Sequence, residues 1–147
     1  MKVKEYLNFV FDLKKVKFPK GPHIAEIMRL VRIDNVQNRL IKNLSKGYRQ
    51  RVGFAQALIG NPDVLILDEP TVGLDIMAVE ELKRMMREYA DHGHTVFITS
   101  HNIDIVAKLC DRVAIINKGK VAALYDLNRE PNRRIQLAKL FMDIYKN

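Results

Sequence analysis

Apolar residues along the first stretch of the chain fall at Val3, Leu7, Val10 and Phe11, spaced i, i+4, i+7 and i+8, which predicts an amphipathic helix over residues 3–15. The stretch Phe18-Pro19-Lys20-Gly21-Pro22 breaks it, and Pro22 suits the first turn of a second helix running to about Ile33. After a loop, Ser45 is a good N-cap for a helix from Lys46 to about Ile59, with Tyr48, Val52, Ala55 and Ile59 as its buried stripe.

From residue 60 the pattern changes. Val64-Leu65-Ile66-Leu67 is a short apolar run entered through Asn61-Pro62-Asp63, as expected of a strand buried on both faces. Helix is predicted from Ile76 to about Tyr89, strand over Thr95 to Thr99, and a short helix over Ile103 to Leu109. Val113 to Ile116 and Val121 to Leu124 read as strands joined by a turn at Lys118-Gly119. Leu137, Leu140, Phe141 and Ile144 mark a last amphipathic helix. Helices followed by strand–helix–strand–helix–strand argue for an α/β fold with a mostly parallel sheet and flanking helices. The expected divisions are a helical part (1–59), a strand-bearing part (60–125) and a C-terminal helix (126–147).

Composition narrows the class. With 147 residues, 48% hydrophobic and 29% charged, the chain suits one globular domain. Its single cysteine, Cys110, excludes a scaffold built on internal disulfides. No apolar run reaches the ~18 residues of a membrane span, and the first residues lack a signal-peptide core, the profile of a cytosol-type domain. The net charge of +8 is uneven: residues 1–51 hold 13 Lys/Arg and 4 Asp/Glu, the remainder 12 and 13. Such a basic third suits phosphates, an acidic partner, anionic lipid or simply water, and assigns no function alone. The aromatics within it do not follow the spacing of a nucleic-acid module.

Candidate chemistry gathers at a few points. Leu65-Ile66-Leu67-Asp68-Glu69-Pro70 puts two acids at the C-terminal end of a buried strand, where open α/β sheets bind ligands. Adjacent acids point differently, so Asp68 can hold Mg²⁺ while Glu69 reaches an attacking water; solvated acids at a strand end are the plain reading. Ser45 and Gly47 open a helix, whose free N–H groups and positive dipole end favour a phosphate. His92-x-His94 has no third ligand nearby and reads as a turn.

Together, Leu44-Ser45-Lys46-Gly47-Tyr48, the Asp68-Glu69 strand, Gly73-Leu74-Asp75 and Thr99-Ser100-His101 resemble, in this order and spacing, the ATP-binding subunit of an ABC transporter of exporter type, most closely from Leu44 to Val121. The resemblance implies a P-loop NTPase-like fold and binding of ATP with Mg²⁺. It implies that Ser45 and Gly47 belong to the signature loop, facing the γ-phosphate of ATP held by the opposite subunit. Lys46 and Tyr48 depart from the commonest Leu-Ser-Gly-Gly-Gln form. Asp68 matches the Walker B carboxylate that holds Mg²⁺, usually through water, and Glu69 the catalytic carboxylate. Asp75 matches the D-loop acid that couples the two sites of the dimer, and His101 the switch histidine at the γ-phosphate.

No Gly-x-x-x-x-Gly-Lys-Ser/Thr occurs, and Gly119-Lys120 lies in a predicted hairpin. By analogy roughly 80 residues precede this segment in the family, carrying the Walker A loop, the adenine-stacking aromatic and the Q-loop glutamine. The chain is thus expected to be a C-terminal portion, with negligible ATPase activity alone. In the family the Walker A strand lies between the strand ending at His101 and Val113 to Ile116. Its absence leaves a gap that must be re-paired, filled by another copy, or left open. Expected partners are a transmembrane permease and a second ATP-binding subunit, identical or not, with no nucleic acid; the expected place is the cytoplasmic face of the cell membrane. The alternatives are a soluble ABC ATPase acting on ribosomes or nucleic acid, and a non-catalytic remnant; Asp68-Glu69-Pro70-Thr71-Val72-Gly73-Leu74-Asp75 speaks against the ribosomal group, and the signature loop with no coiled-coil or zinc insertion against DNA-repair members.

Overall fold

The computed structural model describes residues 1–129 and 132–146; Glu130, Pro131 and Asn147, all in the expected C-terminal segment, lie outside the described residues. The chain divides into two compact units, Met1–Ile98 and Thr99–Asn147.

The first unit opens with three helices, α1 (Val3–Leu13), α2 (Lys20–Leu30) and α3 (Lys46–Leu58), packed on one another. The predicted stripe of α1 is its buried face: Val3, Leu7, Val10 and Phe11. Pro22 sits in the first turn of α2, which ends at Leu30, earlier than the apolar pattern suggested. The backbone beyond it turns at Arg32, whose φ is +54°. Short 3₁₀ turns at Asp34–Val36 and Ile41–Asn43 occupy the predicted loop. Val52, Ala55 and Ile59 are buried as expected, joined by Phe54 and Leu58, while Tyr48 is half-buried with its hydroxyl accepting from Asn35 Nδ2 (3.1 Å). The end of α3 is closed from outside: Lys14 Nζ donates to the carbonyls of Gln56 (2.9 Å), Ala57 (3.3 Å) and Ile59 (2.9 Å). A cation there satisfies carbonyls that the helix leaves open.

β1 (Val64–Asp68), α4 (Ile76–Asp91) and β2 (Thr95–Thr99) follow, and β1 pairs with β2. The N–H of Thr95, first in β2, donates to the carbonyl of Asp63, just before β1 (2.8 Å). Both strands start at the same end and run parallel, joined through α4 as a parallel pair requires. Burial on both faces is not observed. Leu65 is buried, but Val64 and Ile66 are 54% and 72% exposed and Phe97 is 57% exposed, because nothing among the described residues covers that face. The His92-x-His94 segment is a turn: Gly93 has φ +93°, His92 Nδ1 meets the Glu88 carbonyl (2.7 Å), and His94 stacks on Tyr89 (centroids 4.1 Å apart).

The second unit contains α5 (Ile103–Leu109), β3 (Arg112–Asn117), β4 (Lys120–Asp126) and α6 (Arg133–Tyr145). β3 and β4 pair antiparallel from Arg112↔Asp126 to Asn117↔Lys120, with a bulge between Ile115 and Ile116. Lys118 and Gly119, at φ +48° and +74°, form the predicted tight turn. Its core is Ala107, Ile115 and Leu137, with Ile103, Val106, Val113, Leu140, Phe141 and Ile144 packed around them. Among the described residues the four strands form two separate two-stranded sheets, and the gap expected between Thr95–Thr99 and Val113–Ile116 is not closed by pairing those strands.

Candidate functional site

Five of the six expected site residues lie in the first unit and one, His101, in the second. Ser45 caps α3 with its Oγ accepting from the Tyr48 N–H (3.3 Å), leaving the N–H groups of Lys46 and Gly47 at an open helix end. Asp75 caps α4 in the same way, its Oδ1 accepting from the Ala78 N–H (2.8 Å). The two helix starts are side by side. A Cβ built on Gly47 would meet the Ala78 Cβ at 3.6 Å, an ordinary contact. Glycine is therefore not required at position 47 by packing within this chain. A bare backbone at a helix N-terminus, kept despite its cost to the helix, suits close approach by an anion from outside.

Between β1 and α4 the chain makes a tight turn. Asp68 ends the strand and is exposed; Glu69 follows in the left-handed region, with φ +44°. For a residue with a Cβ that conformation is strained by about 1–2 kcal/mol. Glu69 is half-buried and its Oε2 atom is shielded from water, whereas Asp68 faces solvent. The Val72 N–H donates to the Glu69 carbonyl (3.2 Å), and the Leu74 N–H to that of buried Thr71 (3.3 Å), which carries the turn into the Asp75 cap. Asp68 offers the hard oxygen that Mg²⁺ prefers, and Mg²⁺ keeps several waters, so a single solvated carboxylate fits it. Among the described residues no group of three or more His, Cys, Asp or Glu is gathered for a metal.

Two features were not legible in the motifs. Lys46 lies across Gly73, so close that a Cβ there would collide with the ammonium; with φ +70°, Gly73 is doubly constrained to lack a side chain. Glu81 of α4 receives both Arg32 (2.7 Å) and Arg51 of α3, and Arg51 also lies over the Tyr48 ring (5.3 Å). These contacts lock the start of α3 to that of α4 and so fix Ser45 relative to Asp75. The ion-paired residues are scattered in sequence and carry no motif: an i, i+3 rule could have flagged Tyr48 with Arg51, but neither arginine is local to Glu81.

In the second unit His101 is exposed, just before the α5 cap, where Asn102 Oδ1 accepts from the N–H groups of Asp104 (3.0 Å) and Ile105 (3.3 Å). It borders an open groove of about 640 Å³ with Asn102, Asp104, Arg134, Ile135 and Ala138, and Arg134 is ion-paired to Asp104.

A helix-capping loop, a strand closed by Asp68 with Glu69 beyond it, a capped crossover helix and a histidine after the next strand make up the candidate site of an α/β protein. The comparisons with known proteins carry this to a family. Residues 3–72 match the family described as ABC transporter. The chain is 37% identical over 118 residues to the methionine import ATP-binding protein MetN of Salmonella enteritidis, covering 78% of this chain and 38% of that protein. It is 36% identical over 115 residues to the bacitracin transport ATP-binding protein BcrA of Bacillus licheniformis, again covering 78% and 38%. Among solved structures, CbiO1 of Clostridium perfringens, described as part of the ABC transporter complex CbiONQ, matches with a TM-score of 0.75 and 29% identity, over 97% of this chain and 61% of that chain. An ATP-binding subunit of an ABC transporter matches in fold with a TM-score of 0.79 at 22% identity, over 99% of this chain and 62% of that one.

The chain belongs to the ABC transporter ATP-binding family. It spans 38% of the length of each of the two curated relatives. Those relatives are named for methionine import and for bacitracin transport, so the similarity marks the family and leaves the exporter type a proposal.

Proposed function

We propose that this chain supplies the signature-loop and Walker B portion of an ATP-binding subunit of an exporter-type ABC transporter, which hydrolyses ATP between two subunits to drive a membrane permease. The observation that carries this reading is the local geometry at Ser45, Gly47, Asp68, Glu69 and Asp75: an open helix end, an exposed and a half-buried acid side by side on a strained turn, and a capped crossover helix. In this reading Asp68 holds Mg²⁺ through water, and the bound ion offsets phosphate charge. Glu69, half-buried beside the solvated Asp68, orients and deprotonates the attacking water. Ser45 and the Gly47 backbone bind the γ-phosphate of ATP on the partner subunit. His101 contacts the γ-phosphate, and Asp75 holds the start of α4 against the signature loop.

The phosphate-cradling loop that makes most nucleotide contacts has no counterpart in this sequence. This chain by itself therefore binds Mg-ATP weakly and turns it over negligibly. Among the described residues no helix is long and apolar enough to cross a membrane; in this reading the subunit is peripheral, at the cytoplasmic face. The test is two-part. Calorimetric titration of this chain with Mg-ATP should show no binding at low-micromolar concentration. A longer protein carrying the phosphate-loop half as well should hydrolyse ATP, and Glu69→Gln in it should abolish turnover while retaining ATP. Low-micromolar affinity in the first arm, or near-normal rates in the second, would overturn the reading; failure of every longer form to hydrolyse ATP would leave the non-catalytic remnant standing.

A further inference from the structure

The basic residues of the first unit are not evenly neutralised. Lys20 pairs with Asp12 (2.6 Å), Arg32 and Arg51 share Glu81, Lys83 pairs with Glu80 (2.8 Å) and Arg87 with Asp91 (2.8 Å). Lys14 and Arg49 spend their charge on backbone carbonyls. A different situation holds at the start of α1. There the Val3 N–H donates to the Arg39 carbonyl (3.1 Å), the Lys4 N–H to the Gln37 carbonyl (2.9 Å), and Lys2 forms a β-bridge with Leu40. Lys4 and Arg29 rim one groove of about 280 Å³ between α1 and α2.

The fold thereby collects Lys2, Lys4, Arg29, Arg39 and Lys42 from three separate stretches onto one exposed region. None of the five is in an ion pair among the described residues, though Arg29 Nε donates to the Ala25 carbonyl (3.4 Å). The acids that face them are Glu5, whose Oε2 accepts the Lys2 backbone N–H (2.8 Å), and Asp34, which lines the groove. Two of the cations also stand where the helix disfavours them. Lys2 is the N-cap of α1 with no side-chain capping bond, and Lys4 lies in its first turn, both at the positive end of the dipole. Glu5 complements that helix end, but the two cations gain nothing from the helix dipole and remain available to a negative partner. The groove is too small for a turn of helix with its side chains but large enough for a phosphodiester headgroup. Leu40, 37% exposed, adds an apolar side chain among the cations, as surfaces that rest on lipid commonly do.

We propose that this cluster is a contact surface for anionic phospholipid headgroups, binding a membrane directly and not only through a permease. Each cation near an anionic surface adds an attraction that screening by salt weakens within a Debye length.

The test uses this chain and sedimentable vesicles of phosphatidylglycerol and phosphatidylcholine, against vesicles of phosphatidylcholine alone. Binding should require the anionic lipid and fall steeply between low and high salt. The triple variant Lys2→Glu, Arg39→Glu and Lys42→Glu should bind at least about tenfold more weakly. A matched variant, Lys108→Glu, Lys120→Glu and Lys139→Glu, makes the same change in net charge on exposed cations of the second unit and should bind nearly as well as the parent. Far-ultraviolet circular dichroism confirms that each variant is folded, and Lys2→Gln with Lys42→Gln, giving an intermediate loss, replaces the reversal should it misfold. Equal losses in both triple variants would reduce the effect to net charge and overturn the proposal. So would capture by a polyglutamate peptide but not by anionic vesicles, which would make the partner an acidic protein segment. Neither outcome bears on ATP hydrolysis, so the two proposals stand or fall separately.

Discussion

Gly47 and Gly73 are both glycines of the candidate site, yet they answer to different forces. Gly47 has helical geometry and room for a methyl group against Ala78. Gly47→Ala should leave this chain as stable or raise its stability by about 0.5–1 kcal/mol, measured by urea unfolding, since alanine loses less entropy in a helix. Under the proposed role of Gly47, the same substitution in a longer, dimer-forming protein should depress turnover sharply, because the added methyl group would meet the partner's phosphate. Gly73 has φ +70° with Lys46 across it, so Gly73→Ala should destabilise this chain by at least about 1 kcal/mol. Glu81 is a third case. Arg51 and Glu81 keep only 17% and 21% of their side-chain surface exposed, so Glu81→Ala leaves two guanidinium groups without their carboxylate. A loss of about 1–2 kcal/mol is expected, together with displaced amide resonances at Lys46 and Gly47.

At the scale of elements, one histidine joins α2 to the end of α3. The Gly60 N–H donates to His23 Nε2 (3.0 Å), and the ring packs beside Phe11 and Phe18. An acceptor nitrogen must be unprotonated, so this contact exists only with neutral imidazole. Burial pushes the His23 pKa below its usual value, opposed in part by Glu26. The folded form then holds the proton less tightly than the unfolded chain. The contribution is present above pH 6.5 and lost as pH falls below it through the lowered folded value. Urea midpoints measured from pH 7.5 down to pH 5 should therefore fall, and His23→Gln should flatten that fall. A midpoint that rises on acidification would contradict the assignment.

On the scale of the whole molecule, both small sheets leave apolar side chains in water. Val64, Ile66 and Phe97 in the first, and Ile116, Val121 and Leu124 in the second, are all more than half exposed. Two-stranded sheets also present open edges, a known route to association. Self-association at micromolar concentration is expected, and sedimentation velocity checks it; a sharp monomer boundary would show that these faces are tolerated. Charged residues placed on the exposed positions, such as Ile66→Lys, should shift the population toward monomer without touching the Asp68–Asp75 turn.

Local pattern alone determined much of this protein. A period of 3.6 placed the helices, because it reports which side of a helix must leave water, and short apolar runs between turn residues placed the strands. Ser45 was recognisable as a cap because its side chain serves its own next turn, and the Lys118-Gly119 turn because few residues adopt positive φ. The acids at the end of β1 and the loop before α3 were legible for the same reason: their chemistry lies in neighbours along the chain. Tertiary structure decided what depends on distant partners. The exposed faces of Val64 and Ile66 contradict the two-sided burial their sequence predicted, since burial is a property of what packs opposite and not of the strand. Likewise the Arg32–Glu81–Arg51 lock, the Lys46 side chain across Gly73 and the gathering of Lys2, Lys4, Arg29, Arg39 and Lys42 arise only when segments tens of residues apart meet, and no local periodicity records such meetings.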